Sequence, residues 1–337
     1  MHGRNMLAGT MEGSDREQIR IDLLPYLRCP TDGTPLRLDE SGGLLLSEDG
    51  SNSYPIINGA PVLIDFSKSV AVPPENNEDS GFEKRVNRPG GRLGWLLSGY
   101  RMHHCDVNVA RMIEVLEASE QEAARVLVIG AGGNSPEVAA LEADPRIDLI
   151  ATDVVPGPGI SVICDGHDIP LADGTVDSVV SQWVLEHVVD PERVVAEMHR
   201  VLRPGGLVYS EVPFIQQVHF GRHDFTRWTP SGHRRLYRFF DEISMSVVAG
   251  PGMALSWSFV WFLESLPSRK GRLSRWLSRL GRVVTLPLLL CDRWLIRRPG
   301  SWDAASGTAF LGRRREEPVP DDEIVAAYRG TNDAYFG

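Results

Sequence analysis

The chain has 337 residues, 42% apolar and 24% charged, an ordinary globular balance that excludes wholesale disorder, collagen-like repeats and a coiled-coil rod. Its 35 Lys and Arg against 45 Asp and Glu leave a net charge of −10, which disfavours a general binder of duplex nucleic acid, since phosphates demand a basic face. Cys29, Cys105, Cys164 and Cys291 lie far apart with no C-x-x-C, so neither a disulfide framework nor a four-cysteine zinc site is expected, and a reducing cytoplasmic setting is.

Residues 1–20 contain no continuous apolar segment able to act as a secretory core and are expected to be disordered. Residues 21–65 consist of short apolar runs broken by Thr31-Asp32-Gly33, Gly42-Gly43 and Asn58-Gly59, the pattern of a small β-rich module. Residues 66–92, with Pro73, Pro74, Asn76, Asn77, Pro89, Gly90 and Gly91 among charges, read as a linker.

Val109, Met112, Ile113 and Leu116 then open a helical pattern. Strands are expected at Val126 to Ile129, Asp148 to Thr152, near Val162 and at Val176 to Ser181, with a helix from about Pro136. A further helix has Asp190 as its cap and Pro191 at its first position. Val194, Val195, Met198, Val201 and Leu202 lie on one face of it, and Gly205-Gly206 end it. A strand follows over Gly206 to Pro213, and Ser306 to Gly312 return as a late one. Apolar runs alternating with amphipathic helices predict an α/β architecture with a doubly wound, mostly parallel sheet. This domain spans residues 93–315, and 316–337 form an acidic tail.

Residues 251–300 form a basic, apolar helical insertion. Nine Lys or Arg against Glu264 and Asp292 give Trp261 to Gly300 a charge of +7. Leu273, Trp276, Leu277 and Leu280 share one helical face, which suits either an interfacial helix drawn to anionic lipid or a covering helix with a solvated basic face. No run reaches the roughly 18 apolar residues of a spanning helix, so the chain is expected to be soluble or peripheral.

Val126 to Asn134, VLVIGAGGN, is a buried strand running into a glycine-rich turn and a helix, where Gly130 and Gly132 let the backbone approach a ligand. Asp153, 23 residues after Gly130, ends the next strand where a carboxylate can accept both hydroxyls of a ribose. Asp165 and Gln182 end the third and fourth strands.

Asp165 to Leu171 (DGHDIPL), Val176 to Val179, Leu185 to Val188 (LEHV) and Arg200 to Gly206 (RVLRPGG) complete an ordered set of motifs. Through them, Val126 to Gly206 resembles the class I S-adenosylmethionine (SAM) dependent methyltransferases of the type 11-like subgroup. The resemblance implies a Rossmann-like sheet of seven strands with SAM as cofactor. Gly130, Ala131 and Gly132 would pass under its methionine part, Asp153 and Val154 lie by the ribose, Asp165 and Gly166 meet the adenine, and Gln182 sits near the sulfonium. Val128 and Asn134 depart from the family pattern, which has an acidic residue and a glycine there. Leu23 to Leu38 and Ser53 to Ile64 are similar to the small zinc-ribbon-like methyltransferase activator domain. Asp32 stands at its second cysteine position, so a metal-free structural or docking module is expected.

Methyl transfer is an in-line displacement, so the enzyme must hold the acceptor and, for a hydroxyl, remove its proton. Pro213 to Pro230 follows a strand end on the cofactor side and carries His219, His223, Asp224, Arg227 and Trp228. His223 paired with Asp224 is the expected base; His187 is the other candidate, or else a packed hydrogen-bonded residue. His219, Arg227 and Trp228 are candidates for substrate binding, although Arg227 also suits a carboxylate pair and Trp228 a core position. Gly221 between His219 and His223 argues against a helical metal pair, so no metal is expected. A small-molecule, glycan or lipid-linked acceptor fits the basic, apolar insertion, with weak contact to an anionic membrane. A degenerate SAM-fold scaffold or membrane adaptor is the rival reading.

Overall fold

The computed structural model describes residues 19–73, 112–113, 123–132, 136–269 and 271–331. Its elements in chain order are β1 (Leu36–Leu38), β2 (Leu44–Ser47), β3 (Ser53–Ile57), β4 (Ala60–Leu63), β5 (Ala124–Ile129), α1 (Pro136–Glu142), β6 (Ile147–Asp153), β7 (Val162–Cys164), β8 (Val176–Gln182), α2 (Pro191–Val201), β9 (Leu202–Pro213), α3 (Pro230–Leu236), β10 (Phe240–Ala249), α4 (Pro251–Ser265), α5 (Arg272–Leu295), β11 (Gly307–Arg314) and α6 (Asp321–Ala326). Val109, Leu116 and residues 74–92 of the expected linker lie outside the described residues.

Val126, Leu127, Val128 and Ile129 are all buried, so β5 is covered on both faces, as a central parallel strand must be. It pairs in parallel with β6 on one side and β8 on the other. Sheet order runs β7-β6-β5-β8-β9-β11-β10, with β11 antiparallel to both neighbours. The order in which strands are added reverses between β5 and β8, a switch point at whose strand carboxyl ends open α/β sheets bind ligands.

The expected seven strands are this run, but the sheet has eleven. β4 pairs in parallel with β7 through Val62 opposite Ile163 and Leu63 opposite Cys164, and β3, β2 and β1 extend it by antiparallel pairing. Leu23, Leu27, Cys29, Leu45 and Tyr54 join the same core cluster as Leu127, Val179 and Val208. Arg28 N–H donates to the Pro170 carbonyl at 3.0 Å and Ala172 N–H to the Tyr26 carbonyl at 2.9 Å.

The Asp190 side chain accepts from Arg193 N–H and Pro191 opens α2, as expected. The helix ends sooner than Gly205-Gly206, because Leu202 is already extended (φ −71°, ψ 136°) and begins β9. Pro204, which has no N–H to continue helical bonding and keeps Arg203 out of the helical region, bars the helix from reaching Gly205. α4 and α5 form an antiparallel hairpin inserted between β10 and β11. Of the acidic tail, Val319 and Ile324 are buried, and Arg235 bonds Asp321 at 3.0 Å, tying α6 to α3.

Candidate active site

The turn after β5 is shaped by two glycines in the left-handed region, Gly130 (φ +68°) and Gly132 (φ +42°). A Cβ on Gly130 would stand 2.4 Å from Val184 Cγ2, so only glycine lets the strand-end segments meet here. Gly132 N–H donates to Asp153 Oδ2 at 2.9 Å, and Ala131 N–H donates to the Thr152 carbonyl at 2.8 Å. Turn and carboxylate thus form one unit, with Val154 exposed beside it. The cradle suits a ribosyl ligand: backbone without side chains faces a carboxylate able to accept hydroxyls. Val128 is buried within β5, and Asn134 lies outside the described residues.

Asp165 sits at the end of β7, as expected. It accepts from the Ser69 hydroxyl, from His167 N–H at 3.0 Å and from His167 Nδ1 at 2.6 Å. Burial opposes its ionisation, yet these hydrogen bonds outweigh burial and hold its pKa at about 2. Gly166 backs onto Ile129 and Val194, where its missing side chain keeps the loop close to the core. Gln182 closes β8, followed by Trp183 in the left-handed region at φ +56°. A non-glycine residue there is strained, and such strain collects at functional sites.

Beyond β8 a second group of side chains converges. Glu186 is fully buried, and neither carboxylate oxygen has a hydrogen-bond partner among the described residues. Burial pushes its carboxyl up to about 8. Its Oε1 lies 3.7 Å from His187 Nε2 and 3.7 Å from His219 Nε2, and the two imidazoles meet edge to face at 4.7 Å. His187 Nδ1–H donates to the His223 carbonyl at 2.8 Å, which fixes the tautomer and leaves Nε2 as the basic nitrogen. Burial depresses His187 to about 4, so the ring is neutral near pH 7. Glu186, His187 and His219 each offer one donor within 4.8 Å, the spacing a divalent cation would use.

The expected His223–Asp224 pair does not form. His223 ends a short turn and its Nε2 accepts from Arg222 Nε–H at 3.2 Å, while the backbone at Asp224 is extended and aims its carboxylate elsewhere. Asp224 instead accepts two bonds from the Arg227 fork, accepts His219 N–H at 2.8 Å and lies 3.5 Å from His219 Nδ1. Burial opposes ionisation of Asp224, but Arg227 prevails and holds it at about 2. Arg227 is not a free anion binder: its remaining donors go to the carbonyls of Gln216, Gln217 and Thr226. Trp228 is buried within the main core, so it packs rather than stacks on a substrate. Glu186, Trp183 and Ser69 escaped the sequence reading; for Glu186 the LEHV motif was in view, but its burial was not.

Residues 125–210 match the methyltransferase domain family. This methyltransferase-domain segment covers β5 through most of β9, hence the glycine turn, Asp153, Asp165, Gln182 and the Glu186-His187 pair. An uncharacterized methyltransferase of Mycobacterium sp. (strain JLS) is 45% identical over 71 residues, 21% of this chain and 28% of the relative. An uncharacterized 37.1 kDa protein in transposon TN4556 of Streptomyces fradiae is 33% identical over 114 residues, 30% of this chain and 33% of its own. The chain therefore spans about a third or less of these relatives. Among solved structures, a complex of the Haloferax volcanii Trm112 methyltransferase activator with a methyltransferase aligns at TM-score 0.41 and 19% identity, over 72% of this chain and 95% of that one. Among the described residues no helix is long and apolar enough to cross a membrane.

Proposed function

We propose that this chain is a SAM-dependent methyltransferase that methylates a hydroxyl of a small-molecule, glycan or lipid-linked acceptor. The observation that carries the reading is the cradle in which Gly130, Ala131 and Gly132 meet Asp153, together with the cluster of buried Glu186, half-buried His187 and exposed His219 that follows the carboxyl ends of β8 and β9. Residues 93–315 constitute the methyltransferase domain, with residues 251–300 as its insertion. Residues 21–65 act as a structural module without metal, a role supported by the pairing of β4 with β7. Cys29 Sγ lies 3.1 Å from the Tyr54 hydroxyl.

When bound, SAM supplies a methyl carbon activated by its sulfonium. Gly130, Gly132 and Asp153 would hold its methionine and ribose ends, and Asp165, Gly166 and Gln182 would serve its adenine and sulfonium sides. His187 Nε2 takes the acceptor hydroxyl proton, and the His223 carbonyl keeps the ring oriented as it does so. An ionised Glu186 at 3.7 Å stabilises the resulting imidazolium. His219, steadied by Asp224, borders the same space. His223 acts here through its backbone, which reverses the roles expected from sequence. A degenerate scaffold would have no use for this neutral, oriented imidazole.

Titration calorimetry with S-adenosylhomocysteine tests the cofactor site. The native chain should give saturable heat, and Asp153→Ala should weaken binding by about tenfold or more, the worth of a charged hydrogen bond. Equal affinity of the two chains removes Asp153 from the site, and no heat at millimolar ligand removes the function.

A further inference from the structure

The hairpin of α4 and α5 has the polarity of a soluble helix pair turned outward. Between the two helices lie small and polar groups. The Ser256 and Thr285 hydroxyls bond at 2.6 Å, and the Asp292 carboxylate accepts Gly252 N–H and Met253 N–H, each at 2.7 Å. Ser274, Ser278, Gly281, Thr285 and Asp292, in steps of four, three, four and seven, are the buried residues of α5. A Cβ on Gly252 would stand 2.1 Å from the Leu288 carbonyl oxygen, and one on Gly281 3.1 Å from Leu263, so the backbones approach too closely for larger residues.

The apolar side chains face away from this seam. Leu273, Trp276, Leu280, Val283, Pro287, Leu290 and Trp294 recur in steps of three and four along the side of α5 opposite α4, and all are exposed. Leu273, Trp276, Val283 and Trp294 are 57–59% exposed, a degree of wetting that isolated surface residues show but a continuous stripe of seven does not. The stripe runs about 32 Å at 1.5 Å per residue. Arg272, Arg275, Arg279, Arg282 and Arg293 occupy the adjoining flank, also exposed, and Arg298 stacks over Trp294 at 4.3 Å. Gln217 Nε2–H donates to Ser258 Oγ at 2.9 Å, which joins α4 to the loop that carries His219.

We infer that the outer face of α5 is a docking surface for an anionic lipid bilayer, on which the helix lies flat with its apolar stripe among acyl chains and its arginines at the headgroup phosphates. Charge complementarity selects this occupant. A protein partner would leave the arginine flank to be matched separately, whereas an anionic interface offers both environments at one depth. The arginines spread along the helix also fix its orientation, because a helix crossing the bilayer would drag several of them through hydrocarbon. The contact through Ser258 ties the loop that carries His219 to α4, the helix on the far side of α5 from the bilayer. Docking itself stands on the hairpin alone and does not rest on methyl transfer.

The full-length chain is sedimented with vesicles of phosphatidylcholine alone and of phosphatidylcholine with phosphatidylglycerol, at low and high salt, with S-adenosylhomocysteine binding as the check on the fold. The native chain should bind the anionic vesicles at least tenfold more tightly than the neutral ones, and high salt should weaken it. The double variant L273E/L280E should lose at least tenfold, and R275E/R279E should lose the anionic preference, both with ligand affinity intact. Absence of the native chain from both pellets overturns the inference. So does a concentration-dependent dimer that L273E/L280E converts to monomer without any vesicle binding, which would assign the stripe to a second copy of the chain.

Discussion

The Asp292 carboxylate accepts the Gly252 amide at 2.7 Å, forty residues back along the chain. With Met253 N–H bonded to its other oxygen, one side chain of α5 caps the start of α4, where Gly250 offers no side-chain cap of its own. Burial raises the Asp292 pKa, which the two backbone donors oppose.

Asp292→Ala therefore leaves two buried helix-end donors unsatisfied and opens a void between the helices. Urea denaturation should show a loss of about 2 kcal/mol, within the range for lost caps and unpaired buried donors. Because both bonds of the Asp292 carboxylate lie within the hairpin, S-adenosylhomocysteine affinity should stay within twofold; a stability equal to the native chain would deny the cap its role.

The site separates His187 from His223. His187→Ala should lower kcat by about 10² to 10⁴, the usual contribution of a general base, whereas His223→Ala, which keeps the carbonyl that orients His187, should lower it less than about tenfold. Steady-state kinetics on any accepted hydroxyl substrate decides this, and the opposite ranking would return the base to His223.

The raised pKa of Glu186 predicts a pH dependence for the proposed methyl transfer. Its folded pKa of about 8 means the carboxyl is neutral below that pH and ionised above it. If ionised Glu186 stabilises the His187 imidazolium, kcat should rise as pH passes from 7 to 9, and Glu186→Gln should flatten that rise. A native profile that is flat over this range, or a rise that survives in the variant, would detach Glu186 from proton transfer.

His233 links pH to stability in the other direction. It is fully buried, its Nδ1 lies 2.9 Å from Thr308 Oγ1 and its Nε2 3.3 Å from Ser210 Oγ, and burial lowers it to about 3. The unfolded chain takes up this proton near pH 6.5 and the folded chain does not until about 3. Stability contributed by neutral His233 is therefore complete above about 6.5 and falls with pH through the window down to 3, by about 1.4 kcal/mol per unit. Thermal melts between pH 7 and 4.5 should show this slope reduced in His233→Asn; an unchanged slope places the acid sensitivity elsewhere.

What could be read from sequence was what is local. The Asp190-Pro191 start of α2 needs only neighbouring residues, and the buried run Val126 to Ile129 declares a central strand without knowledge of its partners. Periodicity found the apolar face of α5 but could not say which side of the helix has a partner, and the exposed apolar stripe lies away from α4. The His223–Asp224 pairing failed because adjacent residues leaving a turn direct their side chains apart; the partner of Asp224, Arg227, lies three residues on. The surroundings of Glu186 come from distant segments, with His219 Nε2 3.7 Å from its carboxylate and Phe225 N–H donating to its carbonyl at 2.7 Å, so no short window of sequence reveals its burial.

The parallel pairing of β4 with β7 has a consequence for dissecting the chain. Without β4, β7 would present unpaired N–H and C=O groups along its outer side, and an open strand edge is a template for pairing with other chains. Core residues Val62 and Leu63 would leave with it. Excising residues 93–315 to obtain a minimal catalytic fragment should therefore yield an aggregating product rather than a smaller enzyme, because the N-terminal strands serve as the sheet's border.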